Sequence, residues 1–289
     1  MTSPPDDLNN RLMNWLEGQG YLFEMAVARH FQKAGFAVSL GDPYTDFDTH
    51  LEREIDVSAH RRSDPERRAV LTVTMRVECK SSRDKPWVVF HSGSEPNPIF
   101  PFQFVCSSAC RLFLVDAFKS DELRGHLSSS PLLNPPTTGY GLVQGFKDQQ
   151  DVAHAAFFGS AKASVDLVSR YDAPEIVVPF LDGPYNAGIA FPAILIDAPL
   201  FECFLSGEGE PSLETVDISW VAWRASNPIH GTAVVPIVTL SAIDQLVSLF
   251  DHASSALIAC VDERPDLLQS ASEEFARSLV RRTGFPPIG

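Results

Sequence analysis

Long apolar runs are missing from this chain. The longest, AGIAFPAILI (187–196), contains a proline and falls well short of the roughly 18 residues that a membrane-spanning helix needs, so no membrane partner is expected. Basic residues are scarce, 23 Lys and Arg against 37 Asp and Glu for a net charge of −14, which disfavours an indiscriminate grip on a phosphate backbone. The five cysteines are odd in number and irregularly spaced; that excludes a disulfide framework and fits a reducing compartment. Cys106 and Cys110 in CSSAC could share one side of a helix, but no second pair completes a zinc set; core packing is the expectation, since free cysteine is so often buried. GxSxG, Walker A and GxGxxG signatures are all absent, which removes the usual serine-hydrolase, P-loop and dinucleotide signals. The opening MTSPPDDLNN is acidic and lacks the basic start and apolar stretch of a signal peptide, so a cytoplasmic protein is expected.

What is present is an ordinary globular composition. At 289 residues and 44% hydrophobic, the chain can bury a core of its own. Its charge is unevenly spread: Arg53 to Lys85 holds nine basic and six acidic residues, a local +3 within an acidic whole.

Periodicity orders the elements. YLFEMAVARHFQKAG (21–35) spaces Phe23, Val27, Phe31 and Ala34 as one face of a helix and stops at Gly35. FAVSL (36–40) reads as a short strand, and GDPYTDFD (41–48) as loop. EIDVSAH (54–60) and AVLTVTMRVECK (69–80) read as two strands of a hairpin joined by RRSDPERR. PWVVF (86–90) is a further strand or ordered loop, 104–118 a helix, 128–150 a packed connection, 151–170 a helix, and FPAILID (191–197) a buried strand. Two strands, VDISWVAWR and TAVVPIVTL, precede a helix opened by a capping box of Ser241 and Asp244, and a last helix spans about 266–283. The expected organisation is a core domain over 1–205 and an extension of it, or a small subdomain, over 206–289.

The chemistry concentrates in RVECKSS (76–82). Side chains two apart on a strand share a face, so Glu78 and Lys80 project together where the strand leaves the core, while Cys79 points away. Antiparallel pairing brings Asp56 of the preceding strand beside Glu78. Two such carboxylates repel unless a cation lies between them, and a hard cation such as Mg²⁺, with Mn²⁺ as substitute, takes one or two carboxylates plus substrate phosphate. Lys80 can then orient or deprotonate a water, or offset charge developing on the phosphate.

These residues resemble the PD-(D/E)xK nuclease superfamily of restriction-endonuclease-like fold, a mixed β-sheet flanked by helices. The likeness is carried by Asp56 in EID, Glu78 and Lys80 in ECK, and Glu24 in GYLFEMAVARHFQKAGFAV, and it covers about residues 20–120, with an extension to about 205 left open. The order agrees as well: helix with Glu, strand, strand with Asp, strand with ExK, helix, later buried strand. The family's proline is replaced here by Ile55. The resemblance implies that Asp56, Glu78 and the Cys79 carbonyl hold the metal, that Lys80 serves the water, and that Glu24 is an auxiliary ligand. It implies hydrolysis of phosphodiester bonds, in DNA more than in RNA, in a setting such as phage defence or DNA processing.

Other groups take lesser roles in this reading. Glu54 is expected to share the face of Asp56, as a neighbouring ligand or, more simply, as the partner of a surface arginine, while Asp46 and Asp48 are loop carboxylates that could approach a metal but more simply are solvated. Arg61, Arg62, Arg67 and Arg68 in the hairpin connection, with Arg83 and Lys85 after the motif, are candidate phosphate contacts. His60 is a remote candidate, Trp220 and Trp223 are core or a stacking platform, and residues 206–289 could form a homodimer or partner-protein surface. The competing expectation is a catalytically silent nuclease-like module that binds nucleic acid or a protein.

Overall fold

The computed structural model describes residues 6–92, 104–135, 137–146, 151–177, 184–224 and 232–283. In chain order these form α1 (Asp6–Glu17), α2 (Tyr21–Lys33), β1 (Ala37–Thr45), β2 (Glu52–Arg62), β3 (Ala69–Ser81), β4 (Trp87–Phe90), β5 (Val105–Cys106), α3 (Ser108–Ala117), α4 (Asp121–Ser128), β6 (Gly141–Gln144), α5 (Val152–Tyr171), α6 (Pro174–Val177), β7 (Tyr185–Asp197), β8 (Leu200–Leu205), β9 (Pro211–Val216), β10 (Ile218–Arg224), β11 (Thr232–Thr239), α7 (Ile243–Glu263) and α8 (Pro265–Thr283). The protein is a mixed α/β structure built on a seven-stranded sheet.

That sheet runs β1-β2-β3-β7-β11-β10, with β5 added beside β7. The β1–β2–β3 meander is antiparallel. β7 lies parallel to β3 over its whole length, Ala69 opposite Tyr185 through Ser81 opposite Asp197, and parallel to β11. Parallel neighbours require a crossover, and the crossover segment carries α5 onto one face of the sheet. The other face carries α2, α3, α7 and α8. Both faces of β7 are therefore apolar: Phe191, Ala193 and Leu195 join the core under α2 and α7, and Ala190, Ile194 and Ile196 join the core under α5. A second sheet, β6-β4-β8-β9, closes the α5 side with Trp87, Val89 and Leu200.

Several elements differ from expectation for identifiable reasons. GDPYT continues β1 instead of turning, with an interruption at Gly41, whose φ of 63° is open to glycine, and the edge position spares Pro43 a ladder bond. The helix expected over 104–118 starts only at Ser108; Val105 and Cys106 pair instead with Ala190 and Ile189. Cys106 therefore sits on a strand and Cys110 on a helix, both buried and unbridged. The connection over 128–150 contains β6, which pairs with β4. The expected capping box does not form: Ala242 is the N-cap of α7, Ser241 Oγ donates to Asp217 at 2.8 Å, and Asp244 pairs with His30 of α2 at 2.7 Å. Pro174–Val177, between α5 and β7, is helical. Segment 206–289 shares the main sheet and its core, through β10, β11, α7 and α8, with Trp220 and Trp223 buried. No helix among the described residues is long and apolar enough to cross a membrane.

Candidate functional site

The motif lies where the β1–β2–β3 meander comes apart. On β2, Val57 packs into the core under α2, whereas Ile55 packs on the opposite face with Tyr44 and Ala163 of α5. Residues two apart on a regular strand share a face, so β2 must break at Asp56. The ladders show the same break: Cα pairing of β1 with β2 skips Gly41 and Asp56, and pairing of β2 with β3 stops at Val57 and Val77. The Cys79 N–H is taken by the Asp56 carboxylate, Oδ2 accepting at 2.6 Å. A side chain thus replaces the missing main-chain ladder and fixes Asp56 against the β3 motif.

Glu78 and Lys80 lie two apart on β3, as expected for one face, and Lys80 Nζ donates to Glu78 Oε1 at 2.6 Å. Glu78 is largely buried, with Gly159 of α5 and the Tyr44 hydroxyl beside it. Its carboxyl is pushed up to about 7, by burial and by the negative fields of Asp56 and Glu24, against the pull of Lys80. Asp56 is raised too, by burial above all and by Glu54, although the Cys79 N–H and Lys80 oppose this. Glu24, in the first turn of α2, is raised by partial burial and by Asp56. Burial works against the charge of Lys80, but Glu78 and Asp56 outweigh it and raise its pKa. The four residues named from sequence therefore feel one another electrostatically, with one cation among three acids and Glu54 nearby.

One oxygen of each central carboxylate, Asp56 Oδ1 and Glu78 Oε2, accepts no hydrogen bond from the described residues, whereas the other two oxygens are engaged. No three His, Cys, Asp or Glu side chains among the described residues converge as a metal-binding group. The donor chemistry that remains, two hard carboxylates with raised pKa and one free oxygen each, fits a cation held by two carboxylates and completed by substrate phosphate and water.

The basic candidates divide sharply. The hairpin connection is at the far end of β2 and β3 from the motif: Arg62 pairs with Thr72, six residues or about 20 Å along the strand from Asp56. The four arginines of the connection, expected as phosphate contacts, therefore lie at the opposite end of the hairpin from the carboxylates. Arg61 reaches α7, with Asp251 at 2.7 Å and Ser255 at 2.8 Å, over the Phe36 ring. Arg67 meets Asp262 at 3.2 Å and the carbonyls of Val261 and Asp262. Arg62 and Arg68 are exposed at that same remote end. Only Arg83 and Lys85 follow β3 at the motif end, and Arg83 Nε donates to Asp197 at 2.7 Å.

Asp46 and Asp48 also have settled partners. Lys162 of α5 donates to both oxygens of Asp46, at 2.8 and 3.0 Å, and lies 2.8 Å from Asp48. The Asp48 and Thr49 N–H groups complete the Asp46 shell. Sequence reading missed Tyr44, Gly159 and Lys162; nothing in their local spacing reports that α5 crosses over β1 and β3. Compared with protein-family models, curated proteins and solved structures, the chain gives no match.

Proposed function

We propose that this protein is a Mg²⁺-dependent nuclease of restriction-endonuclease-like fold, cutting phosphodiester bonds in DNA in preference to RNA. The observation that carries the reading is the break in β2 at Asp56, which sets that carboxylate on the Cys79 N–H and next to Glu78 and Lys80. Element order supports it: α2 with Glu24, β1, β2 with Asp56, β3 with Glu78 and Lys80, and a buried β7 beside β3 after intervening helices.

Asp56 and Glu78 would hold the cation, with the Cys79 carbonyl as a further oxygen and Glu24 near enough to hold its water shell. Bound there, the cation would supply Lewis acidity toward a phosphoryl oxygen and lower the pKa of a water. The chain's own part is positional and electrostatic. Asp56 is fixed by the main chain of β3, Glu78 is shielded from solvent by α5, and Lys80, anchored on Glu78 Oε1, would orient a water or offset charge developing on the phosphate. A raised Glu78 marks a place stocked with negative charge that a divalent ion would relieve.

The test is cleavage of plasmid DNA, single-stranded DNA and RNA with Mg²⁺, Mn²⁺ or EDTA, comparing wild type with Asp56→Ala and Lys80→Ala. Metal-dependent cutting lost in both variants is the expected result. No cutting, together with calorimetry showing no Mn²⁺ binding that Asp56→Ala removes, would replace the enzyme by the silent binding module.

A further inference from the structure

A second polar place lies on the α5 face of the same meander, away from the carboxylates. Three cross-strand pairs make its floor: Ser58 with Arg76, His60 with Thr74, and Arg62 with Thr72. Ser39 and Asp42 of β1, Asn186 of β7, and Leu167 and Tyr171 of α5 complete a cleft of about 380 Å³. None of Glu24, Asp56, Glu78 or Lys80 lines it.

Polar side chains on an exposed sheet face need no explanation, but four of these are buried while Arg62 alone of the six floor residues is exposed. Ser58 is 2%, Arg76 3%, Thr74 5% and Thr72 9% accessible. The same face of β7 is filled with Ala190, Ile194 and Ile196, so the fold can be apolar there. Arg76 is the sharpest case. Its Nη1 donates to Asp42 Oδ2 at 2.9 Å and to Ser58 Oγ at 2.8 Å, while its buried Nε has no hydrogen-bond partner among the described residues. A guanidinium buried with a donor unmet is costly. The cleft is thus lined by a buried cation whose hydrogen bonding the fold does not complete.

We propose that this cleft is a binding site for a small phosphate monoester, such as a nucleoside monophosphate. Donors outnumber acceptors in it: Arg62 and Arg76, the hydroxyls of Thr72, Thr74 and Tyr171, Asn186 and His60 line it, whereas the lone carboxylate, Asp42, is already taken by Arg76 and by Ser39 Oγ at 2.8 Å. Hydroxyls from Thr72 and Thr74 together with two guanidinium groups suit a tetrahedral group with three terminal oxygens better than a planar carboxylate with two. The volume exceeds what bare phosphate fills and falls within the range of small-molecule sites; the ester's organic part has Leu167 and Tyr171 to lie against. The Tyr171 ring reaches that position because residue 188 is glycine: a Cβ there would stand 2.3 Å from the ring.

The test is calorimetric titration of the full chain in EDTA with inorganic phosphate and with a nucleoside 5′-monophosphate, so that no metal at the carboxylates can capture the anion. Saturable binding of the monophosphate, tighter than that of phosphate, is expected. Arg62→Ala, an exposed substitution, and Thr74→Val, which keeps shape and removes a hydroxyl, should each weaken it about tenfold or more, while Lys80→Ala leaves it unchanged. Absence of saturation up to about 10 mM, or affinity unaltered by both cleft variants, would overturn the site and leave a water-filled cleft. The nuclease reading could fail without touching this result, because the titration uses neither metal nor cleavage.

Discussion

Two acidic clusters sit under α5 within one helical turn of each other, around Gly159 and Lys162, and they are built to opposite ends. At Asp46, burial opposes the charge, but Lys162 and the Asp48 and Thr49 N–H groups outweigh it and hold the carboxyl below its ordinary value. At Glu78, burial is joined by Asp56 and Glu24, and Lys80 alone cannot compensate. The first cluster has its counter-charge in the chain and closes the 46–51 turn onto α5. The second lacks enough of it, which is the arrangement expected where a cation or a substrate supplies the remainder.

The largest expected effect separates the two by activity. Glu78→Gln should lower metal-dependent cleavage by about 10³-fold, the scale of losing a main electrostatic contact in the transition state, whereas Asp46→Asn should leave the rate per folded molecule nearly unchanged. Equal losses in initial-rate assays would dissolve the distinction.

The next effect is on stability and has a definite sign. Folded, Glu78 keeps its proton to about pH 7, against an ordinary value of 4.5. Between those values the folded chain binds the extra proton, so this group's contribution to stability falls as pH rises through the window. Glu78→Gln lacks the fall. Its stability relative to wild type should therefore climb between pH 4.5 and 7, by up to about 3 kcal/mol, beside a constant cost for the lost Lys80 contact; denaturant melts at several pH values read it. Mn²⁺ or Mg²⁺ should act in the same window, stabilising wild type more at pH 8 than at pH 5 because protons and metal compete for the same carboxylate.

Asp46→Asn is expected to cost about 2 kcal/mol, the scale of leaving a buried donor short of its acceptor. Asp48 still pairs with Lys162, which keeps the loss from being larger. Urea titration at pH 7 checks it, and a neutral outcome would place Asp46 among solvated loop acids.

The elements carrying Asp56, Glu78, Lys80 and Glu24 were legible because their patterns are local: α2 and the β2–β3 hairpin occur where periodicity places them, whereas β7 begins at Tyr185, six residues before the strand its sequence marks. The break in β2 was not legible. EIDVSAH alternates acceptably through Asp56, and only the opposite burial of Ile55 and Val57 exposes the change of face. The cleft was half legible, since Ser58, His60, Arg62 and Thr72, Thr74, Arg76 alternate at period two. Alternation signals a polar face without saying that a helix will cover its edge and bury it. The second sheet escaped notice because β4, β6 and β8 are four to six residues long and pair across distant segments. The C-terminal strands were found, but no local signal tells that β11 joins the main sheet through β7.

Arg61 and Arg62 carry the smallest and most diagnostic difference, because adjacent residues on one strand point to opposite faces. Arg61 is anchored to Asp251 and Ser255 of α7 and stacks over Phe36; Arg62 is exposed and lines the polar cleft. Removing Arg61 gives up a partly screened ion pair, a hydrogen bond and ring contact, so Arg61→Ala should lower stability by about 1 kcal/mol. Arg62→Ala should stay within about 0.5 kcal/mol, as surface substitutions do. Charge loss is the same in both variants, so any shared effect on nucleic-acid affinity reports the long-range field, and its salt dependence identifies it. A stability loss confined to Arg61→Ala, with nucleotide binding lost only in Arg62→Ala, would divide the hairpin's basic residues by face: one side fastening α7, the other facing a ligand.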